Sequence, residues 1–208
     1  AELDVPIDIV SGISGGSILA AYYCVVPKKG LDRCVCHAPL FSLTTVASLV
    51  HSWVIELTLD VLLGRIDLAD LGVRFIPVVT ALEEDRKPGM HAIVTGTVGE
   101  GVRASGAAPV LVGPVQKGHG RYTDGGSAAA VPSAVLQPFG ADLVIACNCV
   151  PGPKDGNPIK NLPGGRFVRW RLPIVGRLFD GWLSAAVMFQ SFAGAAQQDA
   201  AVFAVRQG

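Results

Sequence analysis

Charge is scarce in this chain, and what there is cancels. Lysine plus arginine number 17, aspartate plus glutamate number 17, and charged residues make up 16% of the 208. Without a net positive field to neutralise phosphates, the balance argues against a nucleic-acid partner and leaves room only for a local basic patch. Histidine is rarer still: His37, His51, His91 and His119, and none beyond. The cysteines are Cys24, Cys34, Cys36, Cys147 and Cys149, an odd number with no Cys-x-x-Cys of the kind a structural zinc site usually shows. Cys34-Val35-Cys36-His37 is the one run that could hold a metal; free thiols in a reducing compartment are the preferred reading. No metal or other cofactor is expected. The start, Ala1-Glu2-Leu3-Asp4, is acidic and unlike a secretory leader. It has no initiator methionine, which is read as residues missing upstream.

What remains is apolar. Half of the residues are hydrophobic, enough for one domain with a sizeable core and several elements buried on all sides. Between 42 and 63, Val46, Leu49, Val50, Trp53, Val54, Leu57 and Val61 recur at helical spacing and predict one amphipathic helix. It approaches the length of a bilayer span, but His51, Glu56 and Asp60 inside it argue against crossing. Packing on the core is the default, and lying in a lipid interface is the alternative.

The most informative stretch is Ile7-Asp8-Ile9-Val10-Ser11-Gly12-Ile13-Ser14-Gly15-Gly16-Ser17. Ile7, Ile9 and Val10 are β-branched and read as a short buried strand. Gly12-Ile13-Ser14-Gly15-Gly16 fits G-x-S-x-G, a strand-to-helix turn tight enough to push a serine hydroxyl outward. A Cβ on either side of the serine is expected to clash in so tight a turn. A helix beginning near 18 would leave Ser14 at its N-terminus, where free N–H groups favour developing negative charge.

Further along, 25–39 reads as a loop because of Pro27, Gly30 and Pro39. A strand is predicted over 74–82, with Pro77 hinting at an edge or bulge. A charged surface loop follows over 83–89, then a strand over 91–95 and a helix over 98–105 weakened by Gly99 and Gly101. Short strands over 110–112 and 121–123 are joined by a turn over 116–120. Asp124-Gly125-Gly126 comes next: an aspartate at a strand end that can enter a cleft, or simply a turn or helix cap. A helix over 132–139 and a buried strand over 142–147 complete this region. Beyond it, 151–165 reads as a loop, 182–196 as a helix and 202–205 as a strand. Strands alternating with helices imply an α/β layered domain.

A nucleophilic Ser14 needs a base. No histidine follows Asp124, so a triad in the order Ser, acid, His cannot use that aspartate. Ser14 with Asp85 and His91 or His119 keeps the order, but Asp85 lies in a charged loop and His119 in a Gly-flanked turn. What remains is a dyad in which a carboxylate takes the serine proton directly, and Asp124 is the best-placed acid. An aspartate is a weak base at its ordinary pKa of about 3.9. A dyad therefore requires an apolar, partly dehydrated site that raises its basicity.

At these residues the chain resembles the patatin-like phospholipase family. Gly12-Ile13-Ser14-Gly15-Gly16 looks like its nucleophile motif and Asp124-Gly125-Gly126 like its Asp-Gly-Gly/Ala motif. Between them, Val102-Arg103-Ala104-Ser105-Gly106-Ala107-Ala108-Pro109 looks like its Arg-Ala-Ser segment ending in Pro. The likeness runs from about Pro6 to Asn148. It implies one domain over 1–208, a three-layer α/β/α sandwich on a mostly parallel sheet. It also implies a Ser-Asp dyad that cleaves phospholipid or lysophospholipid acyl esters through an acyl-enzyme. By matching position Ser14 is the nucleophile and Asp124 the base, with Gly12, Gly15, Gly16, Gly125 and Gly126 in support. The family's oxyanion loop, a Gly-rich run upstream of the serine, has no counterpart here. That implies a domain incomplete at its N-terminus, or a degenerate copy, and leaves the Gly15 N–H as one donor. Two other readings use the same residues: a non-catalytic lipid-binding or regulatory module, and an acyltransferase. The implied location is cytoplasmic or at a peripheral membrane surface. There Arg166, Arg169, Arg171 and Arg177, interleaved with Phe167, Trp170, Phe179 and Trp182, would dock on anionic lipid or else snorkel over a core edge.

Overall fold

The strand on which the sheet is built is the longest apolar one, β2 (Arg74–Ala81), buried throughout after Arg74. The computed structural model describes residues 6–26, 29–48 (42–48 as backbone), 51–82, 89–108, 112–129 and 131–147. Side chains of β2 alternate between two faces, as the strand period of two requires. Phe75 and Val79 enter the larger core with Tyr22, Leu59, Val98 and Val102 from the helices. Ile76 and Val78 enter a second cluster with Leu136, against which Ile9, Ile13 and Phe139 pack. Each fully buried aliphatic or aromatic side chain contributes roughly 1.5–3 kcal/mol. A strand covered on both faces thus anchors the domain.

β1 (Ile9–Gly12) runs parallel to the first half of β2, with Gly12 opposite Pro77. β3 (Met90–Ala92) pairs antiparallel with the second half, Ala92 opposite Val78. On the other side of β2 lie β5 (Gly120–Asp124) and then β4 (Val115–Lys117), both pairings antiparallel. The described sheet is therefore mixed, where a mostly parallel one was expected. Chain length between strands explains this. Among strands that follow one another in the chain and also pair, only β1 and β2 are joined by a connection long enough for a parallel crossover. Gly118 and His119 alone separate β4 from β5, with Gly118 at φ 59. Gln116 and Lys117, expected in that turn, belong to the strand. Pro77 is not at an edge. It stands where β1 ends and β3 begins along the same side of β2, and its carbonyl accepts from the Ile93 N–H at 2.9 Å. The missing N–H falls at this seam, where no ladder bond is lost.

Four α-helices are described: α1 (Gly15–Val25), α2 (Gly30–Ser48), α3 (Trp53–Leu63) and α4 (Val98–Ser105). The helix expected over 42–63 is split between α2 and α3, and the loop expected over 25–39 is largely α2, with Pro39 inside it. Proline there removes one helix bond and costs about 3 kcal/mol. Burial of Cys34 and Phe41 and the hydrogen bond between the Tyr22 hydroxyl and His37 Nδ1 (2.8 Å) tie α2 to α1 regardless. Tertiary contact overrides the local signal. No described helix is long and apolar enough to cross a membrane.

α4 forms where its spacing predicts. Thr97 and Glu100 make a reciprocal capping box at its start. Arg103 in its last turn reaches Glu56 of α3 at 2.8 Å and Ser52 Oγ at 3.2 Å. Gly101, counted as a weakness, is a requirement: a Cβ there would lie 2.6 Å from Pro77 Cγ, so its absence lets α4 rest on β2. The helix expected over 132–139 is a 3-10 segment, Ser133–Phe139, covering the face opposite the α-helices. The strand expected over 142–147 is absent; Leu143 and Ile145 are 71% and 82% exposed. A strand exists only by pairing, and no described strand pairs with this run. Residues 110–111, the loop over 83–88 and everything expected beyond 147 lie outside the described residues, the basic-aromatic stretch included.

Candidate active site

β1 ends at Gly12 because the chain must turn sharply into α1. A Cβ at Gly12 would sit 2.6 Å from the Gly16 carbonyl oxygen and 2.7 Å from Ser17 Cα. Only glycine lets strand and helix approach so closely. The turn is closed by the Gly16 N–H to the Ile13 carbonyl (2.8 Å) and the Ser17 N–H to the Ser14 carbonyl (3.0 Å). Ser17, fully buried, adds its hydroxyl to the Ser14 carbonyl at 2.5 Å. At the apex, Ser14 has φ 53 and ψ −125, the only positive φ at a non-glycine among the described residues. Such a conformation costs about 1–3 kcal/mol and persists only when its surroundings enforce it. The expectation of clash on both sides of the serine is met at Gly12 and not at Gly16, where a Cβ meets open space. Gly15 and Gly16 open α1 on the exposed side of the turn. As the first helical residue, Gly15 carries an N–H that the helix cannot use internally.

Asp124 closes β5 opposite Val79. It is fully buried. Its Oδ1 accepts from the Gly126 N–H at 2.7 Å, so the residue also caps the short turn Gly125–Ser127. Base and cap are thus compatible roles. Burial pushes the Asp124 carboxyl above the ordinary range; the Gly126 N–H and the Ser14 hydroxyl pull the other way. Oδ2 is buried with no formed hydrogen bond. The Ser14 hydroxyl thus lowers the carboxyl's proton affinity while Oδ2 accepts no formed hydrogen bond. Catalytic hydrogen bonds are often long or unformed in unliganded active sites and tighten only with substrate bound. Gly125 completes the approach. A Cβ on it would lie 2.5 Å from the Val78 carbonyl oxygen and 3.2 Å from Ile13 Cγ1.

Three further hydroxyls hold this pair. Thr80 Oγ1 donates to the Asp124 carbonyl at 3.0 Å. Thr123 Oγ1 and the Asp124 N–H both reach the Ala107 carbonyl, at 2.8 and 2.9 Å. Ser105 Oγ accepts from the Ser14 N–H at 3.1 Å and donates to the Val78 carbonyl at 2.8 Å. Sequence reasoning assigned none of the three to the site. The signal was present: a lone hydroxyl within an otherwise apolar buried strand or helix face must find a partner.

The histidine alternative finds no support among the described residues. His91 lies on β3 opposite Val79 and His119 in the β4–β5 turn, neither hydrogen-bonded to Ser14; Asp85 is outside the described residues. On α2, Cys34 is buried, Cys36 is exposed and the His37 ring is engaged by Tyr22, so these side chains do not converge. Burial pushes the thiols of Cys24 (to about 12) and Cys34 up, away from nucleophilic thiolate. A cavity of about 350 Å³ lies between Glu56, Glu100, Arg103 and Lys117, and another of about 460 Å³ beside His91, Ile93 and Tyr122. Neither is lined by Ser14 or Asp124.

A buried carboxylate of raised basicity together with a serine on a strained turn is an arrangement suited to taking a hydroxyl proton as the oxygen attacks an electrophile. Comparison with protein-family models gives no match, and comparison with curated proteins gives none either.

Proposed function

We propose that this chain is a serine ester hydrolase acting on acyl esters of lipids, phospholipid or lysophospholipid, through a Ser14–Asp124 dyad. The observation that carries the reading is the pairing of Ser14, at positive φ on a strand-to-helix turn, with the fully buried carboxyl of Asp124, whose Oδ2 has no hydrogen-bond partner and whose proton affinity the Ser14 hydroxyl lowers. Ser14 Oγ adds to the ester carbonyl carbon while Asp124 accepts its proton. The carbonyl π-pair moves to oxygen, where the Gly15 N–H and the α1 dipole offset the charge. Collapse expels the alcohol, which leaves with the proton from Asp124, and an acyl-Ser14 ester remains. Water then gives a proton to Asp124 and attacks the acyl carbon; the fatty acid leaves and Ser14 regains its proton. The lipid class rests on the resemblance at the serine, Arg-Ala-Ser and Asp-Gly-Gly motifs; the acyl transfer rests on the geometry.

The test is release of chromophore from a short-chain p-nitrophenyl ester by wild type and Ser14→Ala. The reading expects a loss of at least about 1000-fold, the scale on which removing a dyad member acts. Equal rates in the two proteins would refute it.

A further inference from the structure

The nucleophile turn has a strap that the proposed mechanism does not use. Ser105, at the end of α4, is fully buried. Its single hydroxyl accepts from the Ser14 N–H at 3.1 Å and donates to the Val78 carbonyl at 2.8 Å, with the Gly12 carbonyl further off at 3.4 Å. Three pieces of backbone meet at one oxygen: the end of β1, the apex of the turn, and β2. Val78 matters to the other half of the site as well. Its carbonyl is the surface against which Gly125, next to Asp124, is packed without room for a Cβ.

We infer that Ser105 is a positioning residue that holds the Ser14 backbone at its unfavourable φ and fixes the serine hydroxyl relative to Asp124; this rests on the hydrolase reading for its catalytic consequence. The Ser14 N–H faces inward and needs an acceptor. α1 cannot supply one, because Ser14 precedes its first turn. Ser105 supplies it, and its own proton goes to Val78, so the oxygen is oriented rather than free to rotate. Without it the half-buried Ser14 N–H and the buried Val78 carbonyl lose this partner, and the turn has less reason to keep φ positive at a residue with a Cβ.

The experiment compares Ser105→Ala with Ser11→Ala in the full chain. Ser11 Oγ donates to the Ile76 carbonyl at 3.1 Å, a serine hydroxyl bonded to the same strand β2 that does not touch the turn. Hydrogen exchange at the Ser14 amide is followed together with kcat and KM for the p-nitrophenyl ester. Ser105→Ala is expected to speed Ser14 exchange about 10-fold or more and lower kcat about 10- to 100-fold with KM little changed, since misplacement of a reacting group acts on the chemical step. Ser11→Ala is expected to do neither. Ser105→Cys, of nearly the same size with a weaker donor, should fall between and stands in if the alanine variant does not fold. Unchanged Ser14 exchange, unchanged kcat, or equal losses in Ser11→Ala would overturn the inference. If wild type itself hydrolyses nothing, the hydrolase reading fails, and the exchange data alone still decide whether Ser105 holds the turn.

Discussion

Asp124 pairs with Val79, two positions further along β2 than Pro77, where β1 ends. The offset is what brings the two halves of the site together. β1 approaches from one side of β2 running parallel to it, and β5 comes from the other side running against it. The residues just past Gly12 and those at the end of β5 therefore arrive at the same level of the sheet. β2 is the ruler against which both are set. Its burial on two faces is what makes the setting rigid.

The charge on Asp124 is held at a cost. Because burial raises its pKa in the folded state, the folded protein keeps this proton more tightly than the unfolded chain does. Stability is then fully present below the unfolded pKa of about 3.9 and declines as pH rises through the folded value. Asp124→Asn should raise the Tm at pH 7 and narrow this pH dependence, while abolishing ester hydrolysis. Thermal melts of both proteins from pH 4 to 8 check this; a lower Tm for the variant at pH 7 would contradict it.

On the proposed mechanism the same carboxylate sets the acid limb of activity. The proposed dyad requires Asp124 ionised, so kcat/KM should fall on acidification with a midpoint above the ordinary aspartate range, for the same reason of burial. A pH–rate profile on the short-chain ester, corrected for unfolding, measures it. A midpoint at or below about 3.9 would be inconsistent with a dehydrated base.

Gly12 and Gly16 flank Ser14 symmetrically in sequence and unequally in space. Gly12→Ala forces a Cβ onto the Gly16 carbonyl and Ser17 Cα. It should cost about 1–3 kcal/mol of stability and most of the activity. Gly16→Ala meets open space on a helix and should be neutral or stabilising by about 0.5–1 kcal/mol. Urea titration of the two variants gives the comparison.

α4 carries Ser105 to the turn, so its start bears on the site from a distance. Thr97→Ala removes one arm of the capping box. About 1 kcal/mol should be lost, equivalent to a Tm lower by about 2–4 °C in a chain of this size. Ester hydrolysis below the melting range should be little affected, because the strap itself remains. A large drop in kcat at low temperature would show that the cap does more than hold the helix.

The parts of the fold legible in the sequence were those with a strong local cause. The strand before Gly12, the apolar run of β2 and the helix over 98–105 each declare themselves within a few residues, although Ile7 lies outside β1 and is exposed and Ile9 and Val10 are half-buried where a buried strand was expected. So does Asp124, placed at a strand end before two glycines. What escaped was decided at long range. α2 survives Pro39 because Cys34 and Phe41 are buried from its inner side. The break between α2 and α3 interrupts an apolar periodicity that runs on without a mark in the sequence. The run 142–147 has the composition of a buried strand and no described partner to make it one. Ser105 lies far from Ser14 in sequence, and nothing in its own neighbourhood says where its hydroxyl goes.

The central claim is that Ser14 is activated, and an active-site-directed fluorophosphonate probe tests it most directly. The probe forms a phosphonyl–oxygen bond and releases fluoride only at a serine whose proton is being taken. The account predicts a single adduct, mapped by mass spectrometry to the peptide containing Ser14, and lost in both Ser14→Ala and Asp124→Asn. A folded wild-type protein that takes no label, or takes it at another serine, would contradict the account.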